Sequence, residues 1–239
     1  VGVIGEVFLT VGVLVGLFMG WYLFVNDAIQ GSTQLRAAET LVDRWSEGLP
    51  EESDEASRDG AIPSEEEPPV VLPPGEGEGF AVLYVPRFGE GYARTIAEGV
   101  DLVSVLNSPE LGVGRYPQSD ELGALGNFAI AGHRTTFGAA FAKIGELRVG
   151  DRLYVETEVG WYSYAFRNLE YVWPTELEVL NSFPKLKLES PEGRIITLTS
   201  CHPRFSEAER IIAYGVFDGW YPREGGPPAE IAKSVEGAV

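Results

Sequence analysis

The chain opens on an unbroken apolar run. Residues 7–25, VFLTVGVLVGLFMGWYLFV, carry no charge over nineteen positions. At about 1.5 Å per residue, a helix of that length spans roughly 28 Å, close to the hydrocarbon thickness of a bilayer. Glu6 bounds one end, and Trp21 and Tyr22 stand near the other, where aromatic rings favour the headgroup layer. A cleaved signal peptide is the competing reading. The run is long for one, and no small-x-small cleavage pattern follows it. The pattern therefore predicts an uncleaved membrane anchor over 1–25. Gly12, Gly16 and Gly20 share one helix face, which permits close approach of a second helix and hence a dimer. The chain begins at Val1, which reads as a fragment or a processed form.

The periodicity then changes twice. Leu35, Ala38, Leu41, Val42, Trp45 and Leu49 recur at helical spacing and predict a juxtamembrane helix over about 32–48. Residues 46–79 show no apolar period and are rich in Pro, Gly and Ser. That composition predicts a disordered, extended spacer, so that 26–79 forms a juxtamembrane helix and an acidic linker. From Phe80 onward, stretches rich in Val, Ile, Tyr, Phe, Trp and Thr follow one another. They are 80–85, 127–132, 151–157, 161–173, 194–200 and 210–217, many of them separated by Gly, Pro, Asn or Asp. Helical signals in this part are confined to 101–107 and 137–146. Many short strands with few helices predict a mainly β domain over 80–239, built as a barrel or sandwich.

Charge sharpens this division. The 239 residues carry a net charge of -18. Eleven acidic residues in 46–79, opposed by Arg58 alone, supply ten of those charges. So acidic a chain lacks the Lys and Arg that a phosphate backbone requires, and nucleic-acid binding is excluded. No GxGxxG, Walker A, HExxH or internal repeat is present. The single cysteine, Cys201, excludes an internal disulfide. Cys201 with His133 and His202 offers three zinc ligands at most. An adjacent Cys and His do not easily converge on one ion, so neither a metal nor a cofactor is expected.

The candidate chemistry lies at strand ends. Cys201 ends the strand RIITLTS, where a thiol can reach a substrate, and nearby basic residues favour the thiolate. Arg210 opens the next strand. If the two pair antiparallel, Arg210 and Cys201 flank one cleft. His133 ends the strand NFAIAG. His202 competes with it, but neighbouring strand residues point to opposite faces, so His202 should point away from Cys201.

AIAGHRTTFG around His133, TLTSCHP around Cys201, and Arg210 nine positions after the cysteine resemble the sortase family of cysteine transpeptidases. The similarity covers about 80–225. YVPRFG on the first strand and WYPREGGPP after the last resemble class E, the actinobacterial housekeeping type. Ser200 stands where the family usually has Thr, and it keeps the hydroxyl. No Asp-Pro-aromatic lid motif precedes Phe80, which argues against a pilin-polymerising enzyme. The resemblance implies an eight-stranded sortase-type β-barrel. In it Cys201 attacks the Thr–Gly amide of a sorting signal, His133 is general acid and base, and Arg210 holds substrate carbonyls and the oxyanion. It further implies a Leu-Ala-x-Thr-Gly-like signal on cell-wall-sorted surface proteins and a peptidoglycan-precursor amine as acceptor. Tyr84, Thr199 and Ser200 are implied to line the substrate site, and the catalytic domain to be extracellular on a single-pass anchor. A membrane-tethered cysteine hydrolase and a non-enzymatic anchored binding domain are the alternative readings.

Overall fold

In a computed structural model of the chain, residues 2–21, 25–46, 61–184 and 193–236 are described. Tyr22, Leu49 and the most acidic part of the expected spacer, 47–60, lie outside them. Helix α1 runs Gly2–Gly20 and α2 runs Asn26–Ser46. Eight strands follow: β1 Gly79–Tyr84, β2 Ala93–Glu98, β3 Val113–Arg115, β4 Gly126–Gly132, β5 Arg152–Thr157, β6 Gly160–Val172, β7 Arg194–His202 and β8 Glu209–Pro222. A short helix, α3, spans Ala232–Glu236. The strands close into a barrel in the order β1-β2-β3-β4-β7-β8-β6-β5. The pairs β2–β3 and β4–β7 are parallel and the others antiparallel.

Strand alternation divides the apolar residues between lumen and outer surface. Leu83, Ile96, Phe128, Ile130, Leu153, Tyr164, Ile196, Leu198, Ile211 and Ala213 fill the lumen. Burying a large aliphatic or aromatic side chain of this kind stabilises by about 1.5–3 kcal/mol. Phe141 and Ile144, from the stretch expected to be helical over 137–146, and Leu147 just after it join this lumen core. That stretch is a series of turns with one 3-10 turn at Ile144–Glu146. Thr136, Phe137, Gly138 and Ala139 all have φ between 44° and 79°, and a right-handed helix cannot start from left-handed backbone. The helical signal at 101–107 becomes a single π-helical turn, Leu102–Leu106, whose first backbone N–H groups are capped by Asp101.

β2 and β3 have no counterpart among the six stretches read from the sequence. Their core-like positions include charge: Glu98 lies opposite Arg115 in the β2–β3 register. Arg115 Nη1 reaches both Glu98 carboxylate oxygens at 2.9 Å, and both residues are buried. Two charges that satisfy each other inside read as surface in a linear sequence.

Helix α1 is long and apolar enough to cross a membrane, with a mean hydropathy of 2.1 and no part buried against the barrel. Helix α2 begins six residues earlier than its apolar period suggests. Ala38, Leu41 and Val42 pack on the outer face of the barrel against Val82, Tyr84, Ala93, Tyr154 and Trp161. Beneath it, Arg223 donates to Glu156 at 2.8 Å and lies over the rings of Trp161 and Trp45. Residues 61–78, expected to run free, lie along the barrel instead. Ser64 N–H donates to Trp220, Tyr162 Oη donates to the Pro69 carbonyl, Val71 bridges Leu122, and Glu67 pairs with Arg194. Five prolines in this segment already restrict the unfolded chain, so less entropy is lost when it docks.

Candidate active site

The register of three adjacent strands assembles the site. On β7, Ile196 and Leu198 face the lumen, so Thr197, Thr199 and Cys201 face outward. On β8, Ile211 and Ala213 face the lumen, so Arg210 faces outward. Cys201 and Arg210 are direct partners in the β7–β8 ladder. In the parallel β4–β7 ladder the last pair is Ala131 with Thr199. Continued two residues past that pair, the register brings His133 beside Cys201 on the same outer face, and the next residue, Arg134, reaches the Cys201 carbonyl at 3.5 Å. Three half-buried side chains, His133, Cys201 and Arg210, thus stand abreast on strand ends spaced about 4.8 Å apart. The site lies on the wall of the barrel and not in its lumen, which is filled.

Each member is held by what surrounds it. His133 Nε2 lies 2.8 Å from Asn107 Oδ1, at the end of the π-helical turn. With the carboxamide oxygen accepting, Nε2 carries the proton and Nδ1 is the nitrogen left to exchange one. The ring also rests against Phe137, 5.2 Å between centroids. Burial pushes the His133 pKa down, and the Asp27 carboxylate opposes that shift. The imidazole is therefore mostly neutral near pH 7, and the acid form is the minority species. Arg210 Nη1 donates to the Glu207 and Glu209 carbonyls at 3.0 and 3.1 Å, which fixes one edge of the guanidinium.

The other expected residues divide. Thr199 shares the outer face with Cys201, and its Oγ1 lies 2.9 Å from Tyr116 Oη. Ser200 points to the opposite face and donates to the Gly132 carbonyl at 2.7 Å. It clasps β7 to β4 next to His133 and does not open on the cleft. Tyr84 is not brought to the site. It lies four strands around the barrel from β7, on the outer face beneath α2, fully buried and donating to Glu156 at 2.6 Å. The alternation that carries Leu83 into the lumen carries Tyr84 the other way. His202 remains in β7 and faces away from Cys201; its Nδ1 lies 2.8 Å from Arg134 Nη1 and its ring packs on Tyr171.

Two residues at the site carry no signal in the sequence. Asn107 is 26 positions from His133, in a loop without a motif. Tyr116 is 83 positions from Thr199, and burial pushes its phenol pKa up while Arg210 nearby opposes this. Among the described residues no group of three or more His, Cys, Asp or Glu could hold a metal ion.

Comparison with known proteins bears on the family. The family model for the sortase domain matches residues 83–218. Sortase SrtE1 of Streptomyces coelicolor is 33% identical over 231 residues, covering 94% of this chain. The chain spans 59% of that relative's length. Sortase SrtE2 of the same organism is 30% identical over 225 residues, covering 90% of this chain and 81% of the relative. The SrtA sortase from Actinomyces oris superposes with a TM-score of 0.66 at 34% identity, covering 71% of this chain and 96% of that one. The crystal structure of Streptomyces coelicolor sortase E1 with a tripeptide in its active site superposes with a TM-score of 0.60 at 34% identity, covering 65% of this chain and 97% of that one. A closed eight-stranded barrel with a cysteine, a histidine and an arginine abreast on its wall, together with these similarities, places the chain in the sortase family of cysteine transpeptidases.

Proposed function

We propose that this protein is a membrane-anchored transpeptidase that cleaves a Leu-Ala-x-Thr-Gly-like sorting signal between Thr and Gly and joins the new acyl group to a cell-wall precursor amine. The observation that carries the reading is the register that brings His133, just past the end of β4, alongside Cys201 on β7 and Arg210 on β8. Cys201 Sγ gives its proton to His133 Nδ1, attacks the threonine carbonyl carbon and forms an S–C bond. The C–N bond to glycine breaks as His133 gives a proton to the leaving amine. An incoming amine then attacks the thioester, His133 takes its proton, and the thiolate leaves. Arg210 donates to the oxygen that bears negative charge in both tetrahedral intermediates.

Proximity to a bilayer supports a substrate and an acceptor that are themselves held there. Asp27 accepts a hydrogen bond from Thr136 N–H, three residues after His133. Asp27 lies seven residues beyond the end of α1 at Gly20. Seven extended residues reach at most about 25 Å, so Asp27 stays within that distance of the end of the apolar helix and holds the His133 loop beside it. The Gly12, Gly16 and Gly20 face of α1 is open, with nothing within 4 Å of an added Cβ, and supports pairing with a second copy.

The test is incubation of the detergent-solubilised full chain with a Leu-Ala-x-Thr-Gly peptide and a small primary amine, with mass analysis of the products. The expected product ends at Thr and carries the amine, with a free peptide beginning at Gly. A Thr-terminal acid as the sole product would make the protein a hydrolase, and an uncleaved peptide with binding would make it a recognition domain. In the same assay His133→Ala should lower the rate at least ~10²-fold, the usual scale of general acid–base catalysis. His202→Ala should cost far less, because His202 faces away from the thiol. The reverse ranking would transfer the acid–base role to His202.

A further inference from the structure

Helix α2 does more than cover the barrel. Gln34 is the polar residue on its buried face and is wholly buried. Its Nε2 donates to the Phe137 carbonyl at 3.0 Å and to the Ser108 carbonyl at 3.3 Å. These carbonyls belong to the two loops that hold the catalytic histidine: Phe137 lies in the loop that begins at His133, and Ser108 follows Asn107, the residue on His133 Nε2. The slot for this side chain is built on both sides. A Cβ at Gly112 would come within 2.4 Å of Gln34 Nε2, and one at Gly138 within 2.5 Å of Gln34 Oε1. About two turns before Gln34, Asp27 accepts from the backbone N–H groups of Thr136 at 3.0 Å and Gly138 at 3.4 Å.

The loop so gripped is one that would not hold its shape alone. Three non-glycine residues in it, Thr136, Phe137 and Ala139, have left-handed φ of 62°, 50° and 44°. Such conformations persist only where surrounding contacts over-determine them. Asp27 and Gln34 supply those contacts at 136, 137 and 138, and Phe141 N–H closes the loop back on the His133 carbonyl at 2.8 Å.

We propose that Gln34 and Asp27 are positioning residues for catalysis: the helix that follows the apolar segment sets the distance and angle of the His133 imidazole relative to Cys201. Nothing in this role contacts substrate. It rests on His133 being the general acid and base, so His133→Ala is measured alongside. The variants are Gln34→Met, which fills the slot without an N–H, and Asp27→Ala, which alters only a half-buried surface residue. Leu41→Ala is the control, since it loosens α2 against Val82 and Tyr84 without touching either loop. All are made in the full chain and assayed for kcat, KM for the signal peptide, and Tm.

The expected result is a fall in kcat of about 10- to 10²-fold for Gln34→Met and Asp27→Ala, with KM changed less than about twofold, since a shift of about 1 Å in a reacting group costs on this scale. Asp27→Asn, which keeps an accepting oxygen, should recover part of the loss. Leu41→Ala should lower Tm while keeping kcat. The proposal is overturned if Asp27→Ala turns over like wild type, or if Leu41→Ala loses as much kcat as Gln34→Met. If His133→Ala itself keeps turnover, the catalytic reading fails first. If His133→Ala is inactive and both α2 variants are fully active, only the positioning role fails.

Discussion

Replacing Cys201 by alanine should abolish both turnover and the acyl-enzyme while leaving the barrel folded. The thiol is half-buried at the end of β7, so its loss removes one sulfur atom and opens no cavity in the lumen core. The backbone pairing of position 201 with Arg210 does not depend on the side chain. Chemistry is affected differently, because the nucleophile supplies the atom to which the acyl group is bonded. Removing a nucleophile from a comparable acyl-transfer site costs on the order of 10⁶ in kcat, leaving what binding and oxyanion donors achieve alone. Intact-protein mass spectrometry should show no thioacyl adduct, and the thermal unfolding curve should overlie that of the wild type. An adduct or transpeptidation by the alanine variant in a clean preparation would assign the nucleophile elsewhere.

Arg210→Lys should behave like Arg210→Ala and fall far below the wild type. The two proposed functions of the arginine, a positive charge near the thiol and a set of aimed donors, make opposite predictions for lysine. Lysine keeps the charge but loses the planar fork. In the structure that fork is held: Nη1 is tied to the Glu207 and Glu209 carbonyls, and Arg210 is the direct ladder partner of Cys201. A compact ammonium cannot hold those carbonyls and reach a substrate oxygen from the same position. One lost oxyanion donor costs about 3–4 kcal/mol, or about 10²–10³ in rate. Single-turnover acylation with the signal peptide measures it, and alkylation of Cys201 by a small reagent should change much less. Near-wild-type acylation in Arg210→Lys would reduce Arg210 to a background charge, with Tyr116, beside Thr199, the next donor to examine.

The two effects differ in how far the sequence foretold them. Cys201 and Arg210 are neighbours in a hairpin, and a short connection between two strand-like stretches implies antiparallel pairing. The end of one strand must then lie beside the start of the next. Their juxtaposition follows from local pattern alone. The same alternation argument sends His202 away from Cys201, and the structure places it so. Tyr84 was implied by the resemblance alone, and the structure carries it to the outer face beneath α2, away from β7.

What the sequence determined by itself is therefore what short-range physics encodes. A long apolar run gives most of α1, because a bilayer-length helix needs little else. Branched and aromatic runs between turn residues give most of the strands, because they suit a pleated, half-buried surface. Tertiary structure decided the rest. β2 and β3 bury Glu98 and Arg115, which neutralise each other across the ladder, a compensation invisible to either segment alone. His133 reaches Cys201 through a parallel pairing of β4 with β7, whose paired residues lie 68 positions apart. The contacts of Gln34 with Phe137 and of Asp27 with Thr136 span 103 and 109 positions. A parallel pairing and a helix docked across two loops leave no periodicity in the chain. Their partners are chosen by barrel closure and side-chain fit, and they are defined only when the whole wall has formed.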